Sequence, residues 1–220
     1  MTQTELTSLC NVQTRINQPT IDFPAVIGVD EVGRGSLFGH MTIAGVIMPA
    51  DLTGYFETLT LPDGLLPFLN DSKKLTEKRR EKLYGIIDEL CLQRVIVDVP
   101  ATLIDQLNIR QATLLGMKIA IETLLQSAPT ASILIDGDDC PILDCVCDCQ
   151  TVTGGDGKHS TIAAASILAK VSRDRQMQQY ADIYPEYGIE KHKGYGTARH
   201  RNAILTHGVL PEHRRSFRLV

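Results

Sequence analysis

The 220-residue chain lacks any apolar run of the roughly 18 to 20 residues that a membrane-spanning helix needs. Its first residues also lack a basic stretch followed by an apolar segment, so no secretory signal peptide is indicated. Both absences favour a cytoplasmic protein, in which the six cysteines are expected to stay reduced. Internal repeats and low-complexity segments are missing too, and 43% of the residues are hydrophobic, which is enough for a globular core.

An excess of positive charge is also missing, since the formal net charge is −4. The charge is nevertheless unevenly distributed. Residues 1–157 contain 11 Lys and Arg against 21 Asp and Glu, whereas residues 158–220 contain 11 against 5. A basic C-terminal third beside an acidic body predicts a positive face for a polyanion such as nucleic acid, although solvated helix charges would give the same pattern.

Hydrophobic patterning predicts one α/β domain over residues 25–220, preceded by a poorly ordered leader over residues 1–24. Five apolar stretches are expected to be strands, at 25–30, 41–49, 95–99, 132–136 and 144–152. Helical spacing occurs at 76–92, 111–125, 160–180 and 197–207, with a shorter helix at 101–107. Short links between the early strands favour antiparallel pairing, and helices between the later strands favour parallel pairing. The pattern therefore predicts a five-stranded mixed sheet flanked by helices, with a C-terminal helical region.

Acidic residues occur where the apolar strands end. Asp30 and Glu31 close the first strand, Asp136 closes the fourth, and Asp156 precedes the long helix. Because strand ends in α/β sheets form ligand sites, we expect a shared site, although each residue alone could serve a turn or a helix cap. Clustered carboxylates repel one another, and hard divalent cations such as Mg²⁺ or Mn²⁺ relieve that repulsion. The arrangement predicts metal-assisted phosphoryl transfer, in which a pair of ions clamps a phosphodiester.

Basic and aromatic residues supply the complementary features of a nucleic-acid site. Lys73 and Lys74 stand at the start of a basic helix, and Lys170 and Arg173 are three residues apart on one helix face. Tyr195 lies among cations beside two glycines. An aromatic ring in such a turn can stack on a base or sugar, or can be a half-buried turn residue.

Six short motifs, in order along the chain, resemble the type 2 ribonuclease H family, and specifically bacterial ribonuclease HII. They are GVDEVGRG at 28–35, NDSKKL at 70–75, LIDG at 134–137, GD at 155–156 with AAASILAKVSRD at 163–174, HKGYGT at 192–197 and HRRSF at 213–217. The resemblance implies a ribonuclease H fold and an endonuclease, dependent on Mn²⁺ or Mg²⁺, that cleaves RNA in RNA–DNA hybrids. It also implies two-metal-ion incision on the 5′ side of single ribonucleotides in duplex DNA, leaving a 3′-OH and a 5′-phosphate.

The resemblance also implies roles for individual residues. The family's catalytic, metal-binding carboxylates match Asp30, Glu31, Asp136 and Asp156. Its ribonucleotide-reading triplet matches Gly33, Arg34 and Gly35, and its sugar-stacking tyrosine matches Tyr195. Contacts to backbone phosphates are expected from Lys73, Lys74, Lys170 and Arg173. The glycines make physical sense, because they let the main chain approach the 2′-OH that distinguishes RNA from DNA.

Other interpretations are weaker. A binding module for ribonucleotide-containing DNA without catalysis is disfavoured because all four carboxylates are present. A small-molecule phosphatase is disfavoured by the basic C-terminal third and the Tyr195 turn. Ribonuclease HIII is disfavoured because 24 polar residues are too few for its extra N-terminal domain. We expect a monomer with no membrane partner and no clamp-binding tail after Phe217.

The cysteines are concentrated in one segment. Cys145, Cys147 and Cys149 alternate, so they are expected to share one face of a strand, and Cys140 is nearby. Structural zinc sites usually show paired C-x₂₋₄-C spacings, which this run lacks. The pattern favours buried, reduced thiols over a metal site.

Overall fold

A computed structural model describes residues 3–49 and 75–220. The helices in these ranges are α1 (Gln3–Ser8), α2 (Glu77–Leu90), α3 (Ala101–Leu107), α4 (Ile109–Leu125), α5 (Ser160–Ile183), α6 (Ile189–His192) and α7 (Ala198–His207). The strands are β1 (Asn11–Ile16), β2 (Val26–Val32), β3 (Met41–Ile47), β4 (Gln93–Val99), β5 (Ser132–Asp136) and β6 (Cys149–Val152). Short 3₁₀ turns at Gly155–Gly157 and Pro185–Tyr187 precede α5 and α6, respectively.

The strands form one mixed sheet in the order β1-β4-β3-β2-β5-β6. The pairs β1–β4, β4–β3 and β3–β2 are antiparallel, whereas β2–β5 and β5–β6 are parallel. The predicted mixed α/β architecture is confirmed, and so is the change from antiparallel to parallel pairing along the chain. The sheet has six strands, however, where the sequence predicts five.

The sixth strand comes from the segment that the sequence predicts to be a poorly ordered leader. β1 pairs with β4 along its whole length, from Asn11 opposite Asp98 to Ile16 opposite Gln93. All six of its residues are exposed, so backbone hydrogen bonds hold it to the sheet in place of a buried apolar face. A strand without a buried face has no alternating hydrophobic pattern, which is why the sequence does not reveal it.

Helices cover both faces of the sheet. One face packs against α4, and its core includes Ile27, Val97 and Ile133. The other face packs against α2 and α5, where Val46 and Ile96 are buried. Because strands covered on both sides bury nearly every residue, β3 is apolar along most of its length. None of the described helices is both long enough and apolar enough to cross a membrane.

A third cluster of buried side chains attaches the C-terminal region to the rest of the domain. It contains Phe38 from the loop after β2, Met177 from α5, Tyr187 from the second 3₁₀ turn and Ile204 from α7. The ring of Phe38 packs edge-on against Tyr180, with 5.1 Å between their centroids. This packing brings the glycine-rich loop after β2 next to the glycine-rich loop before α7.

The cysteine-rich segment differs from its prediction. Strand geometry begins only at Cys149, so Cys145 and Cys147 lie in a loop, and Cys145 is exposed. Cys140 and Cys149 are joined by a disulfide, whereas the sequence predicts reduced thiols throughout. The chain turns back between β5 and its parallel neighbour β6, which brings Cys140 beside the start of β6. Alternation along the sequence cannot show a contact of that kind.

Candidate active site

An open pocket of about 390 Å³ lies at the ends of β2 and β5. Because these strands are parallel neighbours, their terminal carboxylates reach the same edge of the sheet. The pocket is lined by Asp30, Glu31, Val32, Gly33, Arg34, Gly35, Asp136, Ser166, Lys170 and Tyr195. The structure therefore brings together three of the predicted carboxylates, the predicted glycine triplet, Lys170 and Tyr195.

Asp30 is the most deeply placed acid of the pocket. Burial raises the pKa of the Asp30 carboxyl well above its usual value, and the charges of Glu31 and Asp136 raise it further. A hydrogen bond with Ser166 and another from the Glu31 N–H, at 2.7 Å, act in the opposite direction. This edge of the pocket therefore favours a positively charged occupant.

Gly28 allows β2 to lie unusually close to α5. A Cβ atom at this position would overlap the backbone of Thr161 in the first turn of the helix. Because the helix lies this close to β2, Ser166 can form the hydrogen bond with Asp30 described above. Sequence reasoning missed Ser166, although a signal was present: it precedes Lys170 by four residues and therefore shares its helix face.

Asp156 occupies a turn next to the pocket and is absent from its lining. It is buried in the 3₁₀ turn Gly155–Gly157, and the Gly155 N–H donates to Asp136 Oδ1 at 2.7 Å. In the described parts of the chain, no three His, Cys, Asp or Glu side chains form a ready-made metal site. The turn that carries Asp156 is nevertheless tied directly to the Asp136 carboxylate.

The glycine triplet and Tyr195 lie on two loops that share backbone hydrogen bonds. Ser36 and Tyr195 form an antiparallel bridge, and the Leu37 N–H donates to the Gly194 carbonyl at 2.9 Å. Gly35 faces open space, and the Tyr195 side chain beside it is partly exposed. An accessible main chain next to an accessible ring suits a ligand that is read by its sugar.

Arg173 lies behind these loops and has no surface on the pocket. Its side chain is fully buried. Its guanidinium donates to the carbonyls of Phe38, His40 and Lys193 and to the Ser36 hydroxyl. The phosphate contact predicted for Arg173 is therefore wrong. Three-residue spacing places it near Lys170 on the helix, but the two loops cover that part of α5.

The other basic residues differ in their placement. Lys170 lines the pocket, and its Nζ lies 2.8 Å from Asp174 Oδ1. Arg34 is half-exposed, with its Nη1 3.9 Å from Glu31 Oε1. Lys73 and Lys74 lie outside the described residues, so their predicted phosphate contacts stay predictions.

Solved structures define the class of this fold. The structure of ribonuclease H2 from Pyrococcus horikoshii covers 89% of this chain and 94% of its own, with a TM-score of 0.69 and 22% identity. The structure of Bst-RNase HIII in complex with Mn²⁺ covers 89% of this chain and 68% of its own, with a TM-score of 0.68 and 18% identity. The domain therefore has the ribonuclease H fold.

Sequence comparison identifies the family within that class. The ribonuclease HII family model matches residues 27–220. The ribonuclease HII of Psychrobacter arcticus is 44% identical over 215 residues, covering 87% of this chain and 75% of its own. That of Halalkalibacterium halodurans is 46% identical over 195 residues, covering 89% and 68%. The chain belongs to the ribonuclease HII family, whose members are nucleases that hydrolyse RNA in RNA–DNA hybrids.

Proposed function

We propose that this nuclease also incises duplex DNA on the 5′ side of a single embedded ribonucleotide. The observation that carries the proposal is the shared pocket of the carboxylates, the glycine triplet and Tyr195. The open main chain at Gly35 can hydrogen-bond the 2′-OH, which requires no contact with the base. Because Tyr195 lines the same pocket, its ring can stack on the sugar of the adjacent nucleotide.

A divalent cation fits the chemistry of this pocket. Asp30, Glu31 and Asp136 offer the hard oxygen donors that Mg²⁺ and Mn²⁺ prefer, and Asp156 on the adjoining turn is the proposed fourth donor. Burial, and after it the charges of Glu31 and Asp136, raise the pKa of Asp30, and a bound cation would relieve the repulsion among these carboxylates. When bound, a pair of such ions polarises the phosphate and favours attack by water.

The chain's own residues orient the other reacting groups. Ser166 holds the Asp30 carboxyl, and Lys170 presents an ammonium group to a phosphate at the pocket wall. The oxygen of a water molecule bonds to phosphorus as the P–O3′ bond breaks, and the proton lost by the water balances the proton gained by O3′. The upstream strand then leaves with a 3′-OH, and the ribonucleotide keeps the 5′-phosphate.

The test uses an end-labelled DNA duplex that contains one ribonucleotide, incubated with Mg²⁺, with Mn²⁺ or with EDTA. We expect one product, ending in a 3′-OH immediately before the ribonucleotide, with either ion and none with EDTA. Asp136→Asn removes a charged donor and is expected to slow cleavage by about 100-fold or more, with the circular dichroism spectrum unchanged. Cleavage of long RNA–DNA hybrids without incision at the single ribonucleotide would contradict the proposal.

A further inference from the structure

Three buried histidines lie directly behind the Tyr195 loop. The rings of His192 and His200 stack, with their centroids 4.3 Å apart. His200 Nε2 lies 3.2 Å from Nε2 of His213. None of the three rings reaches the pocket that holds the carboxylates. The cluster therefore lies outside the pocket, but it contacts the loop that carries Tyr195.

Backbone groups determine which nitrogen of each ring carries the proton. The Leu210 N–H donates to His213 Nδ1 at 2.8 Å, so the proton of that neutral ring is on Nε2. This Nε2–H faces His200 Nε2, which must accept. The proton of His200 is then on Nδ1, which donates to the Tyr195 carbonyl at 3.0 Å. The hydrogen bonds run in one direction, from the Leu210 backbone through two imidazoles to the Tyr195 backbone.

Burial keeps both rings in the neutral form that this chain of hydrogen bonds requires. It lowers the pKa of His200 and the pKa of His213 to about 4. A protonated ring would carry hydrogens on both nitrogens and could not accept from its neighbour.

His192 holds the other side of the same loop. The Gly194 N–H donates to His192 Nδ1 at 3.2 Å, so Nε2 carries the proton and donates to the Tyr187 carbonyl at 2.9 Å. The Tyr195 N–H in turn donates to the His192 carbonyl at 2.9 Å. The backbone of Tyr195 is thus held from both sides while its ring stays partly exposed.

We propose that His200 and His213 are positioning residues that set the preference for a ribonucleotide–DNA junction over a long hybrid. They act through the Tyr195 carbonyl, which orients the ring against the sugar next to the junction. The proposal rests on the function proposed above for Tyr195.

Two substitutions of His200 separate this role from simple packing. An Asn side chain places its amide nitrogen near the position of Nδ1, so His200→Asn can still donate to Tyr195. A Gln side chain reaches the position of Nε2 but has no donor at Nδ1, so His200→Gln keeps the contact with His213 and loses Tyr195. We expect kcat/KM on the single-ribonucleotide duplex to fall about fivefold in His200→Gln and to change less than about twofold in His200→Asn. The fall on a long hybrid is expected to be smaller.

His207 provides the matched control. It lies on the same helix, α7, but its ring is exposed and contacts Tyr187 rather than the hydrogen-bonded chain. His207→Gln is therefore expected to leave the ratio of the two activities unchanged. Should His200→Gln fail to fold, the same comparison can be made at His213. His213→Gln retains a donor near Nε2 for His200, whereas His213→Asn does not.

A double substitution distinguishes positioning from a general loss of structure. In a Tyr195→Ala background, His200→Gln is expected to change the ratio of the two activities no further, because the ring that this hydrogen bond positions is gone. Equal losses in the Asn and Gln variants, or a further change in the Tyr195→Ala background, would overturn the positioning role alone. Failure of the unmodified protein to cut the single-ribonucleotide duplex would overturn the proposed function and this role with it.

Discussion

Tyr195 combines an accessible ring with a backbone that several neighbours hold in place. Its exposed fraction is 38%, which leaves part of the side chain accessible to a ligand. The guanidinium carbon of the buried Arg173 lies 5.7 Å from the ring centroid, within the range of a cation–π contact. A ring restrained in this way loses little freedom on binding, which favours stacking on a sugar.

Replacing this ring tests its role directly. Loss of one stacking contact costs about 1 to 3 kcal/mol by analogy with base stacking, so Tyr195→Ala is expected to slow cleavage at a single ribonucleotide by about 5- to 150-fold. The loss on a long hybrid is expected to be smaller, because the residue beyond the cut is not a deoxynucleotide. Single-turnover rates on both substrates measure the difference, with Tyr195→Phe as the control that keeps the ring. Equal losses on both substrates would make Tyr195 a packing residue.

At the residue scale, the sequence predicts those site residues whose position follows from local structure. Asp30, Glu31 and Asp136 end apolar strands, and strand ends are where the sheet exposes its side chains to ligands. Arg173 is different, because its burial depends on two loops that are distant in sequence. The sequence does not predict the role of the histidines behind Tyr195 for the same reason, because their partners become neighbours only in the folded protein.

At the scale of elements, helix α5 places two neighbouring cationic side chains in different surroundings. Lys170 reaches the pocket wall, whereas Arg173, less than one turn later, is enclosed by the loops after β2 and before α7. Lys170, which is paired with Asp174 at 2.8 Å, thus reaches the pocket where a phosphate could bind. Arg173 instead supports the loops that line the site.

We therefore expect alanine substitutions of these two residues to affect different quantities: substrate binding for Lys170 and stability for Arg173. Lys170→Ala is expected to reduce the salt dependence of substrate binding by about 0.9 in the log–log slope. Its loss of stability is expected to be smaller than that of Arg173→Ala, because its partner Asp174 also lies 3.8 Å from Arg80. Arg173→Ala leaves three carbonyls and a hydroxyl without their donor, so a loss of about 3 kcal/mol or more in the free energy of unfolding is expected. Binding titrations from about 50 to 200 mM salt and urea unfolding measure the two quantities. A reduced salt slope in Arg173→Ala at unchanged stability would restore the phosphate contact that the structure rejects.

Elements were predictable from the sequence where burial selects for apolar residues. The interior strands occur close to their predicted positions because they are continuous apolar runs buried on both faces. Helices α4 and α5 also occur close to their predicted positions, since both are long and rich in apolar residues. β1 has no buried face, and the loop before β6 is shaped by contacts across the sheet edge. Neither the strand β1 nor this loop has a hydrophobic pattern that the sequence alone could reveal.

At the scale of the whole molecule, burial lowers the pKa of three histidines, His40, His200 and His213, to about 4. His40 lies among Asp98, Arg173 and Arg214, and burial with the two arginines lowers its pKa to about 4 against the opposing effect of Asp98. The pKa values of His200 and His213 are also about 4, and the charged or titratable groups facing His200 are His192, His213 and Arg201. The folded protein thus disfavours protonation of these three rings, and burial lowers the pKa of His192 as well, whereas an unfolded chain would bind the protons.

Proton binding by these histidines determines the direction in which the free energy of unfolding changes with pH. Above pH 6.5, the ordinary pKa of histidine, the rings are neutral in the folded and in the unfolded protein. Their contribution to the free energy of unfolding is then fully present. Between pH 6.5 and about 4 only the unfolded chain binds these protons, so the free energy of unfolding falls, by up to about 1.4 kcal/mol per pH unit for each imidazole. Asp30 acts in the opposite direction, because its pKa is raised in the folded protein.

Urea unfolding from neutral pH down to about pH 4.5 measures this dependence. The midpoint is expected to fall steadily below pH 6.5 in the unmodified protein and in His207→Gln, whose ring is exposed. His200→Asn removes one of these imidazoles and is expected to make the fall shallower. Asp30 and the other carboxylates are unchanged between the variants, so their contribution cancels in the comparison. An identical pH dependence in His200→Asn and the unmodified protein would show that His200 is not held neutral by its surroundings.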